Sequence, residues 1–314
     1  MKTNRALLVM LLATGAFWAC NKEDTDNDPA TPPATTPDNT VFAALFADNI
    51  ADETQTFTVN NAWGGQVVAE QGTELNFGPG AFVHADGSPV TGLVEIAVVE
   101  VLSIGDMIWL NKQTVGNDNG TLKMLRSGGA VNITVTQGAE SLEVTQGGLQ
   151  VNVPTVIGDP AMEFFSGAED SEGRMIWTPV VTTPVAVVPA YIDLFYSFSP
   201  DSLYWMNCDY FYSYPNTTML EATIPPGQST DSTQVWIGFP TENAVMQMYH
   251  STGQAYTTSQ VVPVGMQAVI VGLRQSTGGY FSSFTTVTVT DGMSVPMTFA
   301  PTTLAQFEAA LNAL

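Results

Sequence analysis

From Thr56 onward, apolar and polar positions alternate in short runs interrupted by Gly, Asn, Asp and Pro. TFTVN from Thr56, GLVEIAVVEV from Gly92, VNITVT from Val131 and LQVNVP from Leu149 space apolar residues two apart, which puts them on one face of a strand. Short strands between turn residues predict antiparallel sheets, so the expected fold is all-β, with two β-sandwich-like domains. Helical spacing is confined to two places. Val41–Ala47 is a short candidate. In TLAQFEAALNAL, Thr303 and Gln306 stand at capping-box spacing while Leu304, Phe307, Leu311 and Leu314 share a face. This predicts a short C-terminal helix within 302–314, packed on the last sheet.

TPVVTTPVAVVPA repeats Pro every five residues, at Pro179, Pro184 and Pro189. Proline cannot donate to a strand ladder, so no central strand fits this stretch. A domain boundary is placed here, with a first β domain over 41–178 and a second over 179–301. No motif recurs at a fixed period, which argues against solenoids and propellers.

Lys2 and Arg5 precede an apolar run from Ala6 to Ala19, too short for a membrane span of roughly 20 residues. Residues 1–19 therefore read as a signal peptide. The run ends in FWAC, which resembles a bacterial lipoprotein box, and the resemblance implies that Cys20 is acylated and anchors the chain to a membrane. NKEDTDND, directly after it, resembles the surface-export signal of Bacteroidota lipoproteins and implies an outer-membrane, surface-exposed location. Residues 20–40 hold four Pro, five Thr and five acids and no large apolar residue, so they predict a disordered, acidic tether. Asp24, Asp26 and Asp28 alternate as in a calcium loop, yet Pro29 and Thr35 stand where such a loop needs Gly and Glu.

Charge narrows the partners. Acidic residues outnumber basic ones 30 to 8, and loss of residues 1–19 takes the formal charge from −22 to −24. Such a surface repels phosphate backbones, so a nucleic-acid partner is excluded. With Cys20 lipidated, Cys208 stands alone and no intrachain disulfide forms. Stability has to come from packed sheets.

GTELNFGPGAFVHADGSPVTGLVEIAVVEV, residues 72–101, resembles the core of ZU5-type β domains: an apolar strand, a Pro-Gly-Ala turn, a hairpin and a long strand. AMEFFSG from Ala161 and YWMNCDYFY from Tyr204 resemble uncharacterised Bacteroidota surface lipoproteins, a likeness that implies no activity.

Recognised chemistry is sparse. His84 and His250 have no neighbouring His, Cys or Asp at ligand spacing, so no metal site is expected. Some ZU5 relatives cleave themselves at a Ser that follows a His, but Ser251 directly follows His250 and only Thr252 stands at the matching position, which leaves a polar turn. Nucleophile-elbow, Walker and dinucleotide glycine patterns do not occur, and Glu95 and Glu100 fall on opposite strand faces. No catalytic residue and no cofactor are expected. GNDNG from Gly116 and AEDSEG from Ala168 are acidic loops without defined calcium spacing.

The densest signal is aromatic. Ten of 31 aromatic residues fall between Tyr191 and Tyr214, a density that evenly scattered aromatics would not give. Two readings stand: a sealed core around Met206 and Cys208, or a ligand platform. Trp205, within an apolar run, is expected in the core. Tyr210, Tyr212 and Tyr214 share parity, so in a strand they line one face, with Phe211 on the other. The expected function is non-enzymatic binding or adhesion at the envelope, with a glycan or protein ligand. The alternative is a hydrolase acting on extracellular glycan or peptide.

Overall fold

The alternating runs all form strands. The computed structural model describes residues 40–155, 157–171, 173–189 and 194–314. The expected signal peptide, Cys20 and the tether up to Asn39 lie outside the described residues. The described residues begin with helix α1 (Thr40–Asp52), and β1 (Gln55–Asn60), β2 (Leu93–Val101), α2 (Ile104–Trp109), β3 (Arg126–Gln137), β4 (Leu149–Thr155) and β5 (Glu163–Glu169) come after it. Then come β6 (Leu194–Phe198), β7 (Trp205–Tyr210), β8 (Thr233–Phe239), β9 (Ala244–His250), β10 (Gln267–Ser276), β11 (Gly279–Thr288) and α3 (Leu304–Leu311). Shorter strands are given by residue range.

The first sheet runs β1–β2–β3–β7–β5, then Met175–Pro179, Val115–Asp118 and Thr121–Met124. A second runs Ala186–Pro189, β6, β4, Glu74–Phe77 and Gly65–Val68. The third runs Ser294–Pro296, Glu221–Thr223, Ala255–Thr258, β9, β8, β10, β11 and Ala300–Thr302. Pairing among the described strands is antiparallel apart from Val115–Asp118 with Met175–Pro179 and Glu221–Thr223 with Ser294–Pro296. The fold is all-β with short helices.

Parity along single strands explains how the sheets join. On β2, Val94, Ile96 and Val98 enter the core shared with the second sheet, while Val99 and Val101 enter another core on the opposite face. The change from alternating to continuous apolar residues in GLVEIAVVEV marks where both faces become buried. β8 does the same: Trp236 points into the second core, and Val235, Ile237 and Phe239 into a third beneath the third sheet. Each fully buried side chain of this size stabilises by about 1.5–3 kcal/mol. The second core also takes Phe42 and Phe46 of α1 and Phe307 and Leu311 of α3, so the helices fill the space between the sheets.

At α3 the capping box forms as expected, with Gln306 N donating to Thr303 Oγ1 at 3.2 Å and Thr303 N donating to Gln306 Oε1 at 3.0 Å. Phe307 packs on Phe284 of β11 (5.7 Å between ring centroids) and also on Trp109 of α2 (6.5 Å). Gly105 permits this approach, because a Cβ there would sit 2.7 Å from the Leu311 carbonyl oxygen.

The strands on either side of Pro179 do not sort into separate sheets. Residues 194–210, expected beyond the boundary, supply β6, paired with β4, and β7, inserted between β3 and β5. Tyr196, Phe198, Met206 and Cys208 are buried in the first core. The three prolines fall in different places: Pro179 ends Met175–Pro179, an interior strand of the first sheet, Pro184 lies between strands, and Pro189 ends Ala186–Pro189, the outermost strand of the second sheet, where a missing donor is tolerated. Residues 40–314 belong to one compact unit.

Candidate functional site

The three tyrosines form a continuous strip. β7 ends at Tyr210, and beyond it the chain leaves the ladder while keeping the same alternation. Tyr210 and Tyr212 meet edge-on at 6.1 Å, and Tyr212 and Tyr214 lie 4.7 Å apart. Phe211 turns the other way, onto Phe165 of β5 at 5.3 Å. Tyr212 is 41% exposed, whereas Tyr210 and Tyr214 are half-buried. Burial raises the Tyr214 phenol above its ordinary pKa, and the nearby Glu242 charge acts in the same direction. Beside the strip a shallow pocket of about 230 Å³ is walled by Tyr212, Tyr214, Leu122, Met124, Gln260 and Val261.

Arg126, the first residue of β3, holds this strip in place. Its guanidinium carbon lies 4.6 Å from the Tyr212 ring centroid. Nε donates to Glu242 Oε2 at 2.5 Å and Nη1 to Asp159 Oδ2 at 3.2 Å. Glu242 ends the 3₁₀ turn Pro240–Glu242 and its side chain is 6% exposed. The hydrogen bond to Glu242 is the main cause of a raised Arg126 pKa. One side chain thus ties β3, the segment after β4, the 3₁₀ turn and the tyrosine strip together.

The next residue along β3 opens a second feature. Ser127 and Gly128 form part of a cleft of about 530 Å³. Leu102 and Ser103 after β2 supply another wall, Thr155 at the end of β4 and Ile157 beyond it a third, and Thr241 and Asn243 a fourth. Gly128 is required here, since the Tyr196 ring occupies the space a Cβ would take. Asn243 adopts a left-handed conformation (φ 45°), and its Nδ2 donates to Leu102 O at 2.9 Å and Ser127 O at 3.3 Å. Behind the wall, Ser127 Oγ donates to Asn207 Oδ1 at 3.2 Å and Asn207 Nδ2 to Asp209 Oδ2 at 2.7 Å. Asp209 is fully buried, and burial pushes its pKa well above the ordinary carboxylate value.

Other candidates are placed elsewhere. Trp205, expected in the core, is half-buried; its ring packs against the second core on one side and carries the Lys112 ammonium 5.0 Å from its centroid. Strand alternation sends Met206 inward, so its neighbour meets a polar cap instead. His84 Nδ1 lies 2.8 Å from Glu140 Oε1, and His250 Nε2 lies 3.1 Å from Gly253 O in the third sheet. Ser251 Oγ donates to Ala255 O in a turn. Glu95 is exposed, whereas Glu100 is buried and accepts from Gln71 N, Thr73 N and Gln55 Nε2. In the acidic loops, Asp118 pairs with Lys123, Glu169 with Lys112 and Asp170 with Arg174. Among the described residues no group of three or more His, Cys, Asp or Glu is placed to hold a metal ion.

No family model matches the sequence, and no curated protein matches it. Among solved structures, the chain is similar to the Gamma-CGTASE from alkalophilic Bacillus clarkii at 9% identity and a TM-score of 0.21, over 76% of this chain and 42% of that one. The chain thus spans less than half the length of that protein, and a likeness this low carries no argument.

Proposed function

We propose that this chain is a non-enzymatic lipoprotein of the outer-membrane surface, anchored through an acyl group on Cys20, that binds a glycan or protein ligand on the strip Tyr210–Tyr212–Tyr214. The observation that supports this reading is the mutual contact of the three rings, with Tyr212 exposed and braced by Arg126. Tyrosines held in place bury apolar area on binding with little loss of rotamer freedom, and their hydroxyls tolerate a wet rim. A hydrolase needs a convergent acid and base. The cleft's described lining residues include no carboxylate, and Asp159 and Glu242, close to it along the chain, are both engaged by Arg126. The local shape of residues 72–101 is in keeping with the ZU5-like reading: a strand over Glu74–Phe77, a turn in which Ala81 N donates to Gly78 O, and a hairpin turn in which Gly87 N donates to His84 O.

The test is binding of the detergent-solubilised chain to glycan and extracellular-protein arrays. Tyr212→Ser should remove the signal while lowering the melting temperature by no more than about 5 °C, the cost of its contacts with Arg126, Tyr210 and Tyr214. Array binding undiminished in Tyr212→Ser would refute the strip as the ligand surface.

A further inference from the structure

We propose that the cleft beside Ser127 binds a short, uncharged saccharide of about disaccharide size. The inference rests on the reading of the chain as a binding protein and adds a second site with a defined ligand chemistry. At about 530 Å³ the cleft falls within the range of about 300–1,000 Å³ typical of small-molecule sites. In a chain of formal charge −22, its described lining residues are all uncharged. A charged ligand group buried there would have no counter-ion, whereas a polyol needs none.

The polar groups suit hydroxyls. Ser103, Thr155 and Thr241 bring side-chain oxygens, while Gln71 and Asn243 bring amides that both donate and accept. The two bonds from Asn243 Nδ2 leave its Oδ1 open, and the Gln71 amide and Thr241 hydroxyl make no hydrogen bond among the described residues. Leu102, Pro154, Ile157 and Pro240 supply apolar surface for the C–H faces of sugar rings. The walls are also held before any ligand arrives. Arg126 fastens Asp159, two residues past Ile157, and Glu242, between Thr241 and Asn243, to the start of β3. Less ordering is then left to oppose binding.

The experiment is calorimetric titration of the detergent-solubilised full chain with cellobiose, lactose, xylobiose and N,N′-diacetylchitobiose, with digalacturonic acid as the charged comparison. At least one neutral disaccharide should bind, and digalacturonic acid at least tenfold more weakly. Thr241 is exposed, so Thr241→Trp should fill the cleft without unfolding the chain and weaken binding at least tenfold at an unchanged melting temperature. Gln71→Ala, also at an exposed position, should weaken it several-fold. Failure of all four neutral sugars to bind overturns the cleft assignment and leaves the strip to be judged on its own arrays. Equal affinity for digalacturonic acid overturns it too, as does loss of binding in Tyr212→Ser with full retention in Thr241→Trp.

Discussion

Arg126 stacks its guanidinium on the ring of Tyr212 while the same group is bonded to the buried carboxylate of Glu242. The exposed tyrosine is therefore braced by an ion pair whose carboxylate is buried and whose guanidinium is partly exposed. Removing one partner of such a pair leaves the other charge buried and uncompensated, which costs about 3–5 kcal/mol. Arg126→Ala should lose stability in that range by urea denaturation. Arg126→Lys should recover less than half, because an ammonium supplies neither the planar stack nor two directed bonds. The double variant Arg126→Met, Glu242→Leu should recover most of it, since an apolar pair of similar volume avoids desolvating two charges. Equal destabilisation of the single and double variants would show that packing on Tyr212, not the ion pair, sets the cost.

Asp209 makes stability depend on pH in a direction opposite to that of a salt-bridged carboxylate. Burial raises its folded pKa, with the Ser127 hydrogen bond opposing, and Oδ1 has no partner among the described residues. An unfolded Asp ionises near about pH 3.9. The folded state thus keeps a proton that the unfolded state releases. The associated stability is fully present below that pH and is lost as pH rises through the raised folded value. Asp209→Asn should match the parent near pH 3 and melt at a higher temperature at pH 7. A difference in melting temperature between the two proteins that stays constant from pH 3 to pH 7 would contradict this.

Legibility in the sequence followed the range of the interactions. Strand positions, the C-terminal capping box and the shared parity of Tyr210, Tyr212 and Tyr214 depend on residues a few positions apart, and periodicity shows them directly. The strip kept its alternation although β7 ends at Tyr210, because Phe211 is anchored in the second core by Phe165. Arg126 and the cleft left no such mark: Asp159 and Glu242 lie 33 and 116 residues away, and the lining runs from Gln71 to Asn243. The prolines at 179–189 argue against a central strand, yet Pro179 ends an interior one, because a proline at the last position of a strand costs little there, and an edge strand such as Ala186–Pro189 carries the same signal as a linker. Trp205 was misjudged because an apolar run does not reveal that Lys112 caps one face.

Membrane attachment is testable at Cys20 independently of the fold. The residue follows a short apolar segment ending in Ala19 and precedes an acidic, proline-containing stretch. Two acyl chains or more give stable attachment, whereas an unmodified chain of this acidity has no affinity for an anionic bilayer. Cys20→Ser should move the protein from the membrane to the soluble fraction and abolish incorporation of labelled palmitate. Continued membrane fractionation with label retained would place the anchor elsewhere.

Three tryptophans in graded surroundings give an internal scale for the core. Trp177 is 1% exposed and its Nε1 donates to Gln113 O at 2.7 Å, so Trp177→Ala opens a cavity and orphans a buried carbonyl. About 3–5 kcal/mol should be lost. Trp63 is 78% exposed in the β1 to Gly65 connection, and Trp63→Ala should stay within about 0.5 kcal/mol. Trp205 lies between them: its buried face packs on the second core, and its other face interacts with Lys112, which is bonded to Glu169 at 2.7 Å. Half the burial plus a cation–π contact of about 0.5–2 kcal/mol predicts a loss of about 2–4.5 kcal/mol for Trp205→Ala. Trp205→Leu separates the two contributions, because it restores most of the apolar packing but offers no ring to the ammonium. If Trp205→Leu is as stable as the parent in urea denaturation, Lys112 gains nothing from the ring; if it recovers only part of the loss, the remainder measures the contact between them.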